Sequence, residues 1–134
     1  MDIKIINKSK NKLIIPESGP LIVIANHPFG IIDGLILFAL VSKVRDDFKI
    51  MTHETLQFLP QLEQFILPVD FRGETRESKI LNIKTAKKAR DHIKNDGVVI
   101  IFPSGGVSVA NNLRAAAIDD EWKLFPAKLI HQTK

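Results

Sequence analysis

Apolar residues along this chain gather in short continuous runs, set apart by turn-forming clusters and by stretches of helical periodicity. Residues 21–25, Leu-Ile-Val-Ile-Ala, are continuous and rich in β-branched side chains, the pattern of a fully buried strand. Residues 98–102, Val-Val-Ile-Ile-Phe, form the clearest strand of all, and 48–51 and 65–69 are further strand candidates. A helix is expected over about 32–44. A second is expected where Ile80, Ile83, Ala86, Ala89 and Ile93 recur at helical spacing with lysines and arginines opposite. Asn95-Asp96-Gly97 ends it, with Gly97 available for a left-handed cap. Residues 16–20 read as a loop, 55–64 as a mixed segment interrupted by Pro60, and a last helix runs from near Pro126. At the start, Ile3, Ile5, Leu13 and Ile15 flank a polar turn at 7–11 and predict a hairpin or edge strand pair.

Strands alternating with helices mean βαβ units, hence an α/β fold with a mostly parallel sheet and flanking helices. The 134 residues suit one domain with one core. A parallel sheet expects a strand after the helix that follows Trp122, so residues 1–134 are expected to be the N-terminal portion of a longer domain.

Composition narrows the function classes. There is no cysteine, which excludes disulfides and thiolate metal sites. A net charge of +4 suits phosphate-bearing substrates or an anionic membrane surface but is common without either. With no tyrosine, one tryptophan and no recognition motif, nucleic-acid binding is not expected. Residues 1–4 lack the basic start and apolar run of a signal peptide. The longest uncharged apolar stretch, 31–41, is broken by Asp33 and Gly34 and falls short of the roughly 20 residues a membrane helix needs.

Open α/β sheets build their sites at the carboxyl ends of strands. Three features fall there: His27, Arg72 and the turn Ser104-Gly105-Gly106. His27 with Asp33 makes a general-base pair, the imidazole taking a proton and the carboxylate fixing its tautomer. Asn26, Pro28 and Gly30 shape the loop between them. No serine or cysteine stands beside the histidine in sequence, which leaves a substrate hydroxyl or amine as nucleophile. Arg72 can hold a phosphate or carboxylate, or simply pair with Asp70 or Glu74. The Ser104-Gly105-Gly106 turn can offer backbone N–H groups to an oxyanion or phosphate, or be a plain turn. It is neither a P-loop nor a nucleophile elbow. The basic run Lys84, Lys87, Lys88, Arg90 and Lys94 reads as a solvated helix face, and His53, His92 and His131 show no metal-ligand spacing.

In this order the residues resemble the glycerolipid acyltransferase (PlsC-like, lysophospholipid acyltransferase) superfamily. Asn26-His27-Pro28-Phe29-Gly30-Ile31-Ile32-Asp33 is similar to its first block, with five residues between His and Asp where four are usual. The longer spacing resembles the hemolysin-like and lyso-ornithine-lipid-type branch. Val69-Asp70-Phe71-Arg72 is similar to the second block, and Phe102-Pro103-Ser104-Gly105-Gly106-Val107-Ser108 to the third. Ser104 and Val107 replace that block's glutamate and arginine, which weakens any implication of a phosphate-bearing acceptor. A fourth block, a strand with a proline, would lie past Lys134.

The resemblance implies an O-acyltransferase moving a fatty acyl group from acyl-CoA or acyl carrier protein to a lysolipid or glycerolipid hydroxyl. His27 would be the base, Asp33 its orienting partner, Arg72 the headgroup contact and the turn an oxyanion site. It implies no metal or cofactor, a thioester being already activated, and a peripheral position at the cytoplasmic face of the membrane. Alternatives are a non-catalytic fragment, a phosphate-ligand-binding α/β module, and a thioester hydrolase with water as acceptor.

Overall fold

A computed structural model of the chain describes residues 14–58, 60–110, 112 and 115–133. Of the hairpin expected from Ile3, Ile5, Leu13 and Ile15, the first three lie outside the described residues, and Ile15 is not in a strand but packs against the core. Strands β1 (Leu21–Ile24), β2 (Phe48–His53), β3 (Ile66–Val69) and β4 (Val98–Ile101) form one sheet in the order β1-β4-β2-β3. All its pairings are parallel. Helices α1 (Ile31–Val41), α2 (Arg76–Lys94) and α3 (Phe125–Thr133) flank it, giving the expected α/β fold.

The central strand explains the layering. Val98 and Ile100 of β4 point to one face and pack with Val41 and Phe48, joined by Leu37 and Phe38 of α1. Val99 and Ile101 point to the other and pack with Ala89 and Ile93 of α2 and Leu129 of α3. On the first face the rings of Phe38, Phe48 and Phe65 meet edge-on or stacked at 4.9–5.3 Å.

Several expectations need correcting. The run 21–25 is not a fully buried strand: β1 is an edge strand, partly exposed along its length, with Ile24 47% exposed. A continuous apolar run does not distinguish a central from an edge strand. Helix α1 stops at Val41, three residues early: after Ser42, whose N–H still reaches Phe38 O, the chain closes in a turn whose Val41 carbonyl is shared by the Val44 and Arg45 N–H groups. The left-handed residue after α2 is Asp96 (φ 64°), not Gly97. Asp96 N–H bonds Ile93 O and Gly97 N–H bonds His92 O, a Schellman ending in which aspartate tolerates positive φ. Gly97 is required for space instead, since a Cβ there would lie 2.4 Å from the His92 ring. Pro68 is accommodated because β3 is the other edge strand.

Below the sheet, the buried Arg45 ties three strand entrances together. Its fork donates to both Asp47 oxygens, at 2.9 and 2.6 Å, just before β2. It also donates to Gly19 O at 2.6 Å before β1 and to Asp96 O before β4. The hydrogen bonds from Arg45 hold the Asp47 carboxyl below its usual range despite partial burial.

Candidate active site

The loop after β1 leads to α1 on one face, and the loop after the adjacent β4 leads toward α3 on the other. Connections that diverge from neighbouring parallel strands open a crevice at their carboxyl ends. A cavity of about 920 Å³ lies there, with His27 and the 104–106 turn in its wall.

His27 Nδ1 lies 3.1 Å from Asp33 Oδ2. The same oxygen accepts the Phe29 N–H at 2.8 Å, and the Asp33 N–H donates to Gly30 O at 3.0 Å. Asp33 stands in the first turn of α1, where the exposed N–H groups favour a carboxylate. A carboxylate oxygen only accepts, so Nδ1 carries the ring proton and Nε2 is left as the basic nitrogen. The ring stacks on Phe102, centroids 4.1 Å apart, and both side chains of the pair are mostly shielded from solvent. Gly30 starts α1 at φ 63°, ψ −127°, a conformation open essentially to glycine, with Val107 packed over it.

The backbone of His27 is held from another part of the chain. Its N–H donates to Asp119 Oδ1 at 3.0 Å, and its carbonyl accepts the Ser108 N–H at 2.8 Å. Ser108 Oγ also donates to Asp119 Oδ1, and Trp122 Nε1 donates to Asp119 Oδ2 at 2.8 Å. Residues 108 and 119 face each other because Val109 and Ile118 form an antiparallel bridge, with both N–H···O bonds at 3.0 Å. Burial works against the Asp119 charge. The hydrogen bonds from His27, Ser108 and Trp122 outweigh it and hold this carboxyl below its usual range. Nothing in the local sequence marks Asp119, 92 positions after His27.

The third strand end is arranged differently. Arg72 forks onto Asp70 through Nε and Nη2, both at 3.0 Å, and Nη2 also meets Glu54 at 3.2 Å. Asp70 further accepts the Arg72 N–H and the Ser78 hydroxyl, and these bonds, Arg72 foremost, hold it far below the carboxylate range. Two guanidinium nitrogens are thus committed to protein carboxylates. The side chain is 72% exposed and stands outside the cavity lining, whereas Phe71 is within it.

Ser104 is buried and its hydroxyl donates to Gly106 O at 2.8 Å, which closes the turn. Gly105 has φ 74°, with the Phe71 ring 3.1 Å from where a Cβ would stand, and its N–H donates to Phe102 O. With the Gly105 N–H committed, the Ser104 and Gly106 N–H groups are the turn's candidate donors. Asn26 and Pro28 flank His27 in the loop and do not line the cavity. The rest of the lining is largely apolar, including Met51, Leu56, Val69, Phe71, Ile101 and Phe125, with Thr52, His53, Thr55, Asn82, Asp120 and Lys123 as polar members. Among the described residues no three His, Asp or Glu side chains come together as a metal-binding group.

A family model described as Acyltransferase matches residues 7–119. Comparison with curated proteins and with solved structures gave no match.

Proposed function

Because the chain belongs to the acyltransferase family, we propose that it moves a fatty acyl group from an acyl thioester to the hydroxyl of a lysolipid or glycerolipid, with His27 as general base. The observation that carries this reading is the His27–Asp33 pair, 3.1 Å apart, in the wall of a largely apolar cavity. The acceptor hydroxyl gives its proton to His27 Nε2 as its oxygen attacks the thioester carbonyl carbon. The C–S bond then breaks, and the departing thiolate takes that proton from the imidazolium, so that an ester and a free thiol result. Asp33 keeps Nδ1 protonated and steadies the imidazolium, and the Gly106 N–H is the donor for the oxyanion. General-base assistance of this kind contributes about 10²–10⁴-fold.

Arg72 is the headgroup contact in this proposal, and it acts through the edge of a guanidinium already braced by Asp70 and Glu54. The fatty chain lies along Met51, Leu56 and Phe125. A lipid surface supplies the acceptor, consistent with the exposed apolar side chains of Phe29, Ile31, Val107 and Val109 at this end of the molecule. No helix among the described residues is long and apolar enough to cross a membrane.

The test is to incubate the protein with acyl-CoA, or acyl carrier protein, and a panel of lysolipids in vesicles, following free thiol and acylated lipid together. Acceptor-dependent thiol release with matching lipid product is expected. Thiol release that ignores the acceptor would make it a thioester hydrolase. Neither product, with binding of nucleotide phosphates instead, would make it a phosphate-ligand module.

A further inference from the structure

We propose that Asp119 is the positioning residue for His27, one carboxylate oxygen holding the histidine's backbone N–H while the other is anchored by the Trp122 indole. The inference rests on reading His27 as the base. The imidazole is fixed at its ring by Asp33 and by the face of Phe102, but its Cα hangs on a loop leaving an edge strand. Among the described residues such a loop has one neighbouring strand, β4, to brace it. The brace comes from the segment before α3. Asp119 accepts the His27 N–H, Ser108 donates its N–H to the His27 carbonyl, and the Ser108 hydroxyl ties the two braces together.

The consequence is a dependence of geometry on a distant residue. Without the Asp119 acceptor, the His27 amide loses its partner and the loop is free to slide toward solvent, drawing Nε2 away from the acceptor hydroxyl. A misplacement of about 1 Å at a reacting group costs on the order of 10²-fold in rate. Asp119 does not line the cavity and bonds His27 at its backbone N–H, so its influence on the base runs through the histidine's backbone. Trp122 sets the carboxylate's orientation, and an amide in its place keeps one acceptor oxygen for His27 while turning its NH2 against the indole N–H.

Asp119→Ala and Asp119→Asn are compared with the parent protein and with Glu121→Gln, an exposed neighbour, by steady-state acyl transfer and by the NMR signals of the His27 ring. Asp119→Ala is expected to lose about 10²-fold in kcat with KM little changed, while Asp119→Asn recovers most of that loss. The His27 ring signals shift in Asp119→Ala and stay in place in Glu121→Gln. In a His27→Ala background the Asp119→Ala change adds nothing further, since it has no base left to misplace. Should Asp119→Ala not fold, Trp122→Phe removes only the anchor on Oδ2 and is expected to show a smaller loss in kcat and a smaller shift of the same signals. Parental kcat with unshifted ring signals in the folded variant overturns the inference. A parent protein without transfer activity overturns the acyl-transfer reading instead, and the ring signals alone then decide whether Asp119 positions His27.

Discussion

Replacing Arg45 by methionine separates what holds the sheet together from what the sheet carries. The guanidinium closes the entrances of β1, β2 and β4 through Gly19 O, both Asp47 oxygens and Asp96 O. Hydrogen bonds to charged groups contribute about 1.5–3 kcal/mol each in net terms. The acceptors are only partly shielded, Asp47 being 41% exposed, so they rehydrate when the arginine is gone and the low end applies. Two carbonyl bonds at that end sum to about 3 kcal/mol, with methionine keeping the apolar contacts of the stem. At about 2.1 cal/mol/K of unfolding entropy per residue, 134 residues lose about 10 °C in Tm for that change. Denaturant and thermal unfolding measure it directly. Because Arg45 lies at the opposite end of the strands from His27, kcat of the folded variant should remain at the parental value. A stability loss below about 1 kcal/mol would show that the fork is only a surface pair, and a parallel loss of kcat would show that the two ends of the sheet are not independent.

Other outcomes follow from the same contacts. Gly97→Ala places a methyl group against the His92 ring, which is held by a 2.6 Å bond to Asp47 O, and should cost about 1–3 kcal/mol in denaturant unfolding. Asp47, Asp70 and Asp119 all have carboxyls held below their usual range in the folded protein. Each therefore adds stability above the unfolded carboxyl value of about 4, lost as pH falls through the folded one. Stability should be flat from neutral pH to about 5 and fall below about 4. That acid loss should be smaller in Arg45→Met, where Asp47 has no fork to lose. Asp33→Asn should keep the unfolding midpoint yet lower kcat by about 10²-fold, because the amide oxygen held by the Phe29 N–H still accepts Nδ1–H but carries no charge to steady the imidazolium.

The parallel α/β fold was legible in the continuous runs at β4 and β1, and α2 in its apolar spacing, because both signals are set by local periodicity. The place of β1 at an edge was not, since strand order is decided by which helix crosses which face. The His27–Asp33 contact spans six positions and one loop, short enough for spacing to suggest it. Asp119 reaches His27 across 92 positions, through a bridge between Val109 and Ile118 that no local pattern announces. Arg72 illustrates the opposite case. Its neighbour Asp70 was visible in sequence, but Glu54 joins only because the segment after β2 folds beside the end of β3.

The acceptor-dependent rate of thiol release by His27→Ala, with folding matched to the parent by its unfolding midpoint, tests the central claim most directly. The account predicts a fall of about 10²-fold or more, with the cavity still binding acyl thioester. A rate within twofold of the parent would contradict it and leave the proton of the acceptor hydroxyl to some other group.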